Sequence, residues 1–236
     1  MYVLSMNPVL IAAAVVPAVV ILAYVYKQDK TEREPLGLIL GLVFMGIIST
    51  SLAQITERIG MTALSFIFWD DSSPVYRAIL YFVIVGLSEE GFKFLLLRRK
   101  TWNHPDFNFS YDGIVYAVSV SLGFALWENL LYVYSYGFQA ALLRAVTAVP
   151  GHACFGAFMG VWYSMARLAA SRGEFERVRP NMKKALFIPV FIHGLYDYLA
   201  SGSSVRATSL FIIFIVVMMI YAIGKIKSMS RDDTPV

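Results

Sequence analysis

The chain has 236 residues, of which 58% are hydrophobic and only 15% charged, with a net charge of +4 and a single cysteine. Soluble domains hold about 25% charged residues. This composition, with a mean hydropathy of +0.63, therefore excludes an ordinary soluble domain, and apolar blocks about 20 residues long match the roughly 30 Å core of a bilayer. The lone Cys154 excludes an intrachain disulfide, and the basic residues sit in short loops between apolar blocks, which argues against nucleic acid as a partner. The expected class is an all-α, polytopic membrane helix bundle: one transmembrane domain over residues 1–236, multi-pass in the cell membrane.

Seven spans are predicted, at residues 3–26, 36–55, 75–97, 112–136, 141–168, 185–200 and 207–224. Residues 1–7 carry no Lys or Arg, so no cleavable signal peptide is expected. After the second span, MTALSFIFW is apolar but too short to cross, and is expected to lie in the interface or to re-enter. The third span contains YFVIVGLSEEGFKFLLL, followed at once by the basic RRK, with Glu89, Glu90 and Lys93 inside an apolar helix. Ionisable groups near a span centre cost about 2.5–3.5 kcal/mol each, which makes them functional candidates. Lys93 stands i+4 from Glu89 and i+3 from Glu90, so it can neutralise one of them. Adjacent helical residues point about 100° apart, so one carboxylate can face a cavity while the other is tied to a cation. A buried ion cluster that only joins helices is the alternative.

The segment from Trp102 to Tyr111 is aromatic and polar, and is expected to form an interfacial belt. His104 lies there and is assigned no role. The fourth span carries GFALWENLLY, with Glu128 and Asn129 as either site residues or an interhelical hydrogen-bonding pair. The fifth carries PGHACFGAFMG. Here His152, Gly156 and Gly160 form one stripe that aims the imidazole at protein, and a break at Pro150–Gly151 is expected to separate a short outer piece. The sixth carries PVFIHGLYDY, where Asp197 stands i+4 from His193 and can orient its ring. A purely structural role remains open for each of these groups.

Loop charge predicts orientation. Lys27, Lys30, Arg33, Arg98, Arg99, Lys100, Arg167, Arg172, Arg177, Arg179, Lys183, Lys184, Lys225, Lys227 and Arg231 fall on one side. Arg58, Arg77, Arg144 and Arg206 fall on the other. The positive-inside tendency puts the N-terminus outside and the C-terminus in the cytoplasm.

SEEGFK, FALWEN, the isolated His152 and HGLYD, in this order on successive spans, resemble the four motifs of the PrsW family of membrane proteases, relatives of the CAAX-type prenyl-protein endopeptidases and of APH-1. The resemblance covers about residues 86–198, within an expected catalytic core at about 75–200. It implies an intramembrane endopeptidase with Glu89, Glu90, Glu128, Asn129, His152, His193 and Asp197 as site residues. In the CAAX-type relatives the second motif ends in histidine and the last often has asparagine. Glu128 and Asp197 stand there in this chain, as in the PrsW branch. The resemblance also implies a membrane-anchored protein substrate, of the kind of an anti-sigma factor in regulated proteolysis.

Hydrolysis in a bilayer needs water, a base and donors for the oxyanion. The reading from the residues has Glu89, aided by a histidine, activating water without a cofactor, His193 and Asn129 holding the oxyanion, and Lys93 paired with Glu90. A zinc-dependent alternative would use His152, His193, Glu89 and Glu128. A scaffold and an ion-coupled transporter are the non-enzyme alternatives.

Overall fold

The computed structural model describes residues 8–236, which form nine α-helices and one π-helical segment with no strand among them. In chain order these are α1 (Pro8–Gln28), α2 (Leu36–Ile67), α3 (Pro74–Ala78), the π segment (Ile79–Val85), α4 (Gly86–Thr101), α5 (Asp112–Tyr136), α6 (Phe138–Val146), α7 (Ala148–Ser171), α8 (Phe175–Ala200) and α9 (Val205–Arg231). The start of the first expected span lies outside the described residues. Five stretches are long and apolar enough to cross a membrane: Pro8–Gln28, Leu36–Ile67, Asp112–Tyr136, Phe138–Ser171 and Val205–Arg231. Of the two other expected spans, the third is divided between the π segment and the 16-residue α4, and the sixth forms the second half of α8, whose basic first half lowers the helix's hydropathy.

α5 is the hub. Every residue from Asp112 to Ala125 is buried, because helices pack around it on several sides. Its small residues permit this. A Cβ on Gly123 would collide with the Val43 carbonyl of α2, and one on Gly46 of α2 with the Val120 carbonyl of α5. On the opposite flank, a Cβ on Gly160 of α7 would stand 2.5 Å from the Ile114 Cα. The glycine stripe that follows His152 is thus a helix–helix seam, as its spacing predicts.

Three elements differ from expectation. MTALSFIFW is not a separate interfacial piece: α2 runs unbroken to Ile67 because nothing between residues 55 and 67 interrupts the backbone ladder. At 1.5 Å per residue this 32-residue helix is about 48 Å long and projects beyond a bilayer core. The fifth span does begin with a short piece, α6, but the break falls at Thr147 and not at Pro150. Pro150 occupies the first turn of α7, where its missing N–H removes no helical hydrogen bond. The aromatic loop is no belt either: Phe107 and Tyr111 are fully buried, and the Phe107 ring stacks on Tyr163 at 5.3 Å.

The end of the bundle that carries Lys27 and Arg98 is closed by the C-terminal tail. The Ser110 amide donates to the Thr234 carbonyl and the Val236 amide to the Asn108 carbonyl, both at 2.8 Å. In the adjoining α1–α2 loop, burial and then Asp233 push the Asp29 carboxyl up to about 6, and burial likewise raises Glu34 to about 7.

Candidate active site

Close backbone contact between α4 and α8 positions the site. A Cβ on Gly86 would stand 3.0 Å from the Val190 carbonyl, and one on Gly194 would press into Phe82 of the π segment. The π segment immediately precedes the paired glutamates, and such turns recur at functional sites.

Lys93 is the centre. Its Nζ lies 2.7 Å from Glu90 Oε1, 3.2 Å from Glu89 Oε2 and 3.1 Å from His152 Nδ1, and 3.8 Å above the Phe124 ring. No part of Lys93 is exposed. Because an ammonium only donates, His152 Nδ1 accepts, which leaves Nε2–H to donate to Glu128 Oε2 at 3.0 Å. Arg144 Nη2 donates to that same oxygen at 2.6 Å, its Nε donates to Asn129 Oδ1 at 3.2 Å, and its guanidinium covers the Tyr132 ring at 4.0 Å. His193 Nδ1 meets Glu90 Oε1 at 2.9 Å, and its ring stacks on Phe155 at 4.6 Å. Its other nitrogen, Nε2, faces Asp197 Oδ2 at 3.4 Å and Glu89 Oε2 at 3.9 Å.

Glu89, Glu128, His152, His193 and Asp197 thus line one cavity of about 250 Å³, with Glu57, Tyr81, Tyr132, Arg144, Phe155 and Tyr196 among its other walls. The side chains of Asp197 and Glu128 are 23% and 18% exposed, against 8% for Glu89, which sets the mouth on the Asp197–Glu128 side. Two expected site residues stand behind the wall. Glu90 is held by Lys93 and His193. Asn129 turns away, its amide nitrogen donating to the Ala14 carbonyl of α1 at 2.9 Å. Cys154 faces an apolar crevice beside α1 and α9, away from this chemistry.

Sequence reasoning passed over Glu57 and Arg144. Glu57 lies two residues past the expected end of the second span, and one of its carboxylate oxygens, though buried, has no hydrogen-bond partner among the described residues. Arg144 stands out in the sequence only as a loop charge. An acid at Glu128 with no cation on its own helix was the signal that a basic partner had to come from elsewhere.

A membrane helix bundle that buries carboxylates and two imidazoles around a common hollow belongs to the class able to move protons, and so to activate water, within a bilayer. The profile of the PrsW family intramembrane metalloproteases matches residues 34–223. The chain is 34% identical to Protease PrsW of Oceanobacillus iheyensis over 94% of its own length and 97% of that protein. It is 33% identical to Protease PrsW of Geobacillus kaustophilus over 80% and 79% of the two chains, and 30% identical to that of Bacillus subtilis over 83% and 84%. No solved structure matches significantly. The chain belongs to the PrsW family, and is an intramembrane protease embedded through several helices.

Proposed function

We propose that this protease cleaves a membrane-anchored protein substrate with water activated by Glu89. One observation carries the reading: Glu89, His193 Nε2 and Asp197 converge on a single hollow, with Lys93 holding Glu89 and Glu90 holding His193 Nδ1. Water between Glu89 and His193 gives its proton to Glu89, and its oxygen attacks the peptide carbonyl. Arg144, at the mouth, and His193 Nε2–H are the donors that face the developing oxyanion. When the C–N bond breaks, Glu89 passes the proton it took from water to the leaving nitrogen, which restores the carboxylate. Asn129, expected at the oxyanion, instead anchors Arg144. The charge pattern of the loops supports seven crossings with the C-terminus in the cytoplasm, and the family resemblance supports an anti-sigma-factor-like regulator as substrate.

The family's description favours a second reading, through a metal. The set Glu89, Glu90, His152 and His193 brings its ligand atoms within 4.8 Å of one another, but Lys93 already occupies three of the four. His152 has both nitrogens engaged and Glu128 holds Arg144, so the ligand set expected from sequence does not fit. His193 Nε2 and Asp197 Oδ2 fit better: they stand 3.4 Å apart, close to the roughly 3.3 Å that ligands take around a tetrahedral zinc, and Glu89 Oε2, 3.9 Å from Nε2, would join them by exchanging Lys93 for the ion. Zinc held there would polarise the carbonyl and acidify a water.

Cleavage of a membrane-anchored reporter in vesicles tests both. Glu89→Gln is expected to reduce the rate about 100-fold or more in a variant that still folds, as helical circular dichroism in detergent reports, and cleavage at the wild-type rate would overturn the proposal. Wild-type protein stripped by chelator separates the readings: retained activity supports Glu89 alone, and loss that zinc restores supports the metal.

A further inference from the structure

A second group of acids lies outside the membrane cavity, at the basic end of the bundle. Asp29 follows α1, Glu34 precedes α2 and Asp112 opens α5. They are only 2%, 3% and 1% exposed, and one carboxylate oxygen from each lies within 4.8 Å of the others. Some of their oxygens are satisfied. Tyr116 Oη donates to Glu34 Oε2 at 2.7 Å, and the Asn108 and Phe109 amides donate to Asp112 Oδ2 at 3.0 and 2.7 Å. Neither oxygen of Asp29 nor Oδ1 of Asp112 has a hydrogen-bond partner among the described residues. The Glu32 amide and Arg33 give Asp29 favourable electrostatics, while Asp233 and the Glu32 side chain oppose them. Buried carboxylate oxygens without donors are costly unless a cation or a proton joins them.

We propose that Asp29, Glu34 and Asp112 bind one hard divalent cation of the size of calcium, separate from the catalytic cavity. The donors are all carboxylate oxygens, with neither imidazole nor thiolate, which selects calcium or magnesium over zinc. Oxygens within 4.8 Å of one another can close on an ion whose bonds are about 2.4 Å long, and calcium accepts a buried site built from protein oxygens more readily than magnesium, which gives up its waters reluctantly. The ion ties the α1–α2 loop to the start of α5, next to the loop that grips the C-terminal tail through Tyr111 N–H and Asp233 Oδ1 at 2.8 Å. A proton shared between Glu34 and Asp112 is the competing arrangement.

The test uses the full chain in detergent at neutral pH after chelation. Added calcium is expected to raise the thermal midpoint saturably, by about 5 °C or more at a hundredfold excess over its dissociation constant, with magnesium weaker. Terbium luminescence sensitised by Tyr111 and Tyr116 should appear and be displaced by calcium. Asp29→Asn, which keeps the side chain's shape and removes its charge, should abolish both signals, as should Glu34→Gln, whereas Glu89→Gln should keep them. No saturable effect in the wild type, an equal effect in both Asp29→Asn and Glu34→Gln, or a loss in Glu89→Gln would overturn the site.

Discussion

Lys93 has no contact with water, and two carboxylates, an imidazole and the Phe124 face surround it. Removing one member of such a set strands charge in a low-dielectric interior, at a cost of about 3–5 kcal/mol. Lys93→Met is therefore expected to destabilise the protein on that scale, and adding Glu90→Gln should recover part of it. Thermal unfolding in detergent measures both, and a single variant as stable as the wild type would contradict the ion cluster. Arg144 makes the complementary prediction. Lysine keeps its charge but cannot span Glu128 and Asn129 together, so Arg144→Lys should slow reporter cleavage about tenfold, or 1.4 kcal/mol, while barely moving the unfolding midpoint. At this scale the sequence was readable where it broke a rule. Glu89, Glu90, Lys93, His152 and His193 stand out because ionisable groups are out of place in apolar spans. Asn129 is legible as a polar group but not by direction, since its partner Ala14 lies 115 residues away.

At the level of helices, glycine sets how near the site's walls can come. With Gly46 and Gly123 in mutual backbone contact, Gly123→Val must part α2 from α5 and carry Glu57 away from Glu128. Overpacking of this kind costs about 3 kcal/mol or more, and loss of thermal stability together with cleavage is the expected outcome. The His152, Gly156, Gly160 repeat foretold the α5–α7 seam, because period alone fixes which residues share a face. The extent of α2 was not foretold, since hydropathy marks where a helix stops being oily and not where it stops being helical. The place of the break before α7 depended on whether Pro150 lay inside a helix or in its first turn, which residue identity does not decide.

For the whole molecule, hydropathy found the membrane class and the apolar helices, but it is weakest where function puts charge, in α4 and α8. Their membership of the bundle comes from packing. Orientation is the prediction at this scale. In a Cys154→Ser background, cysteines at Ser72 and Ser203 should react with an impermeant reagent from outside intact cells, and one at Arg172 should not; the reverse pattern would invert the topology. How such maps are drawn matters here for another reason. The last residues are stitched onto the 108–111 loop through Thr234, Phe109 opposite Pro235, and Val236. A fluorescent or enzymatic reporter hung behind Val236 would tug on the seam that seats the central helix. The turn at residues 172–174, where Gly173 takes a φ of 73° and nothing packs against it, is the gentler place to splice cargo.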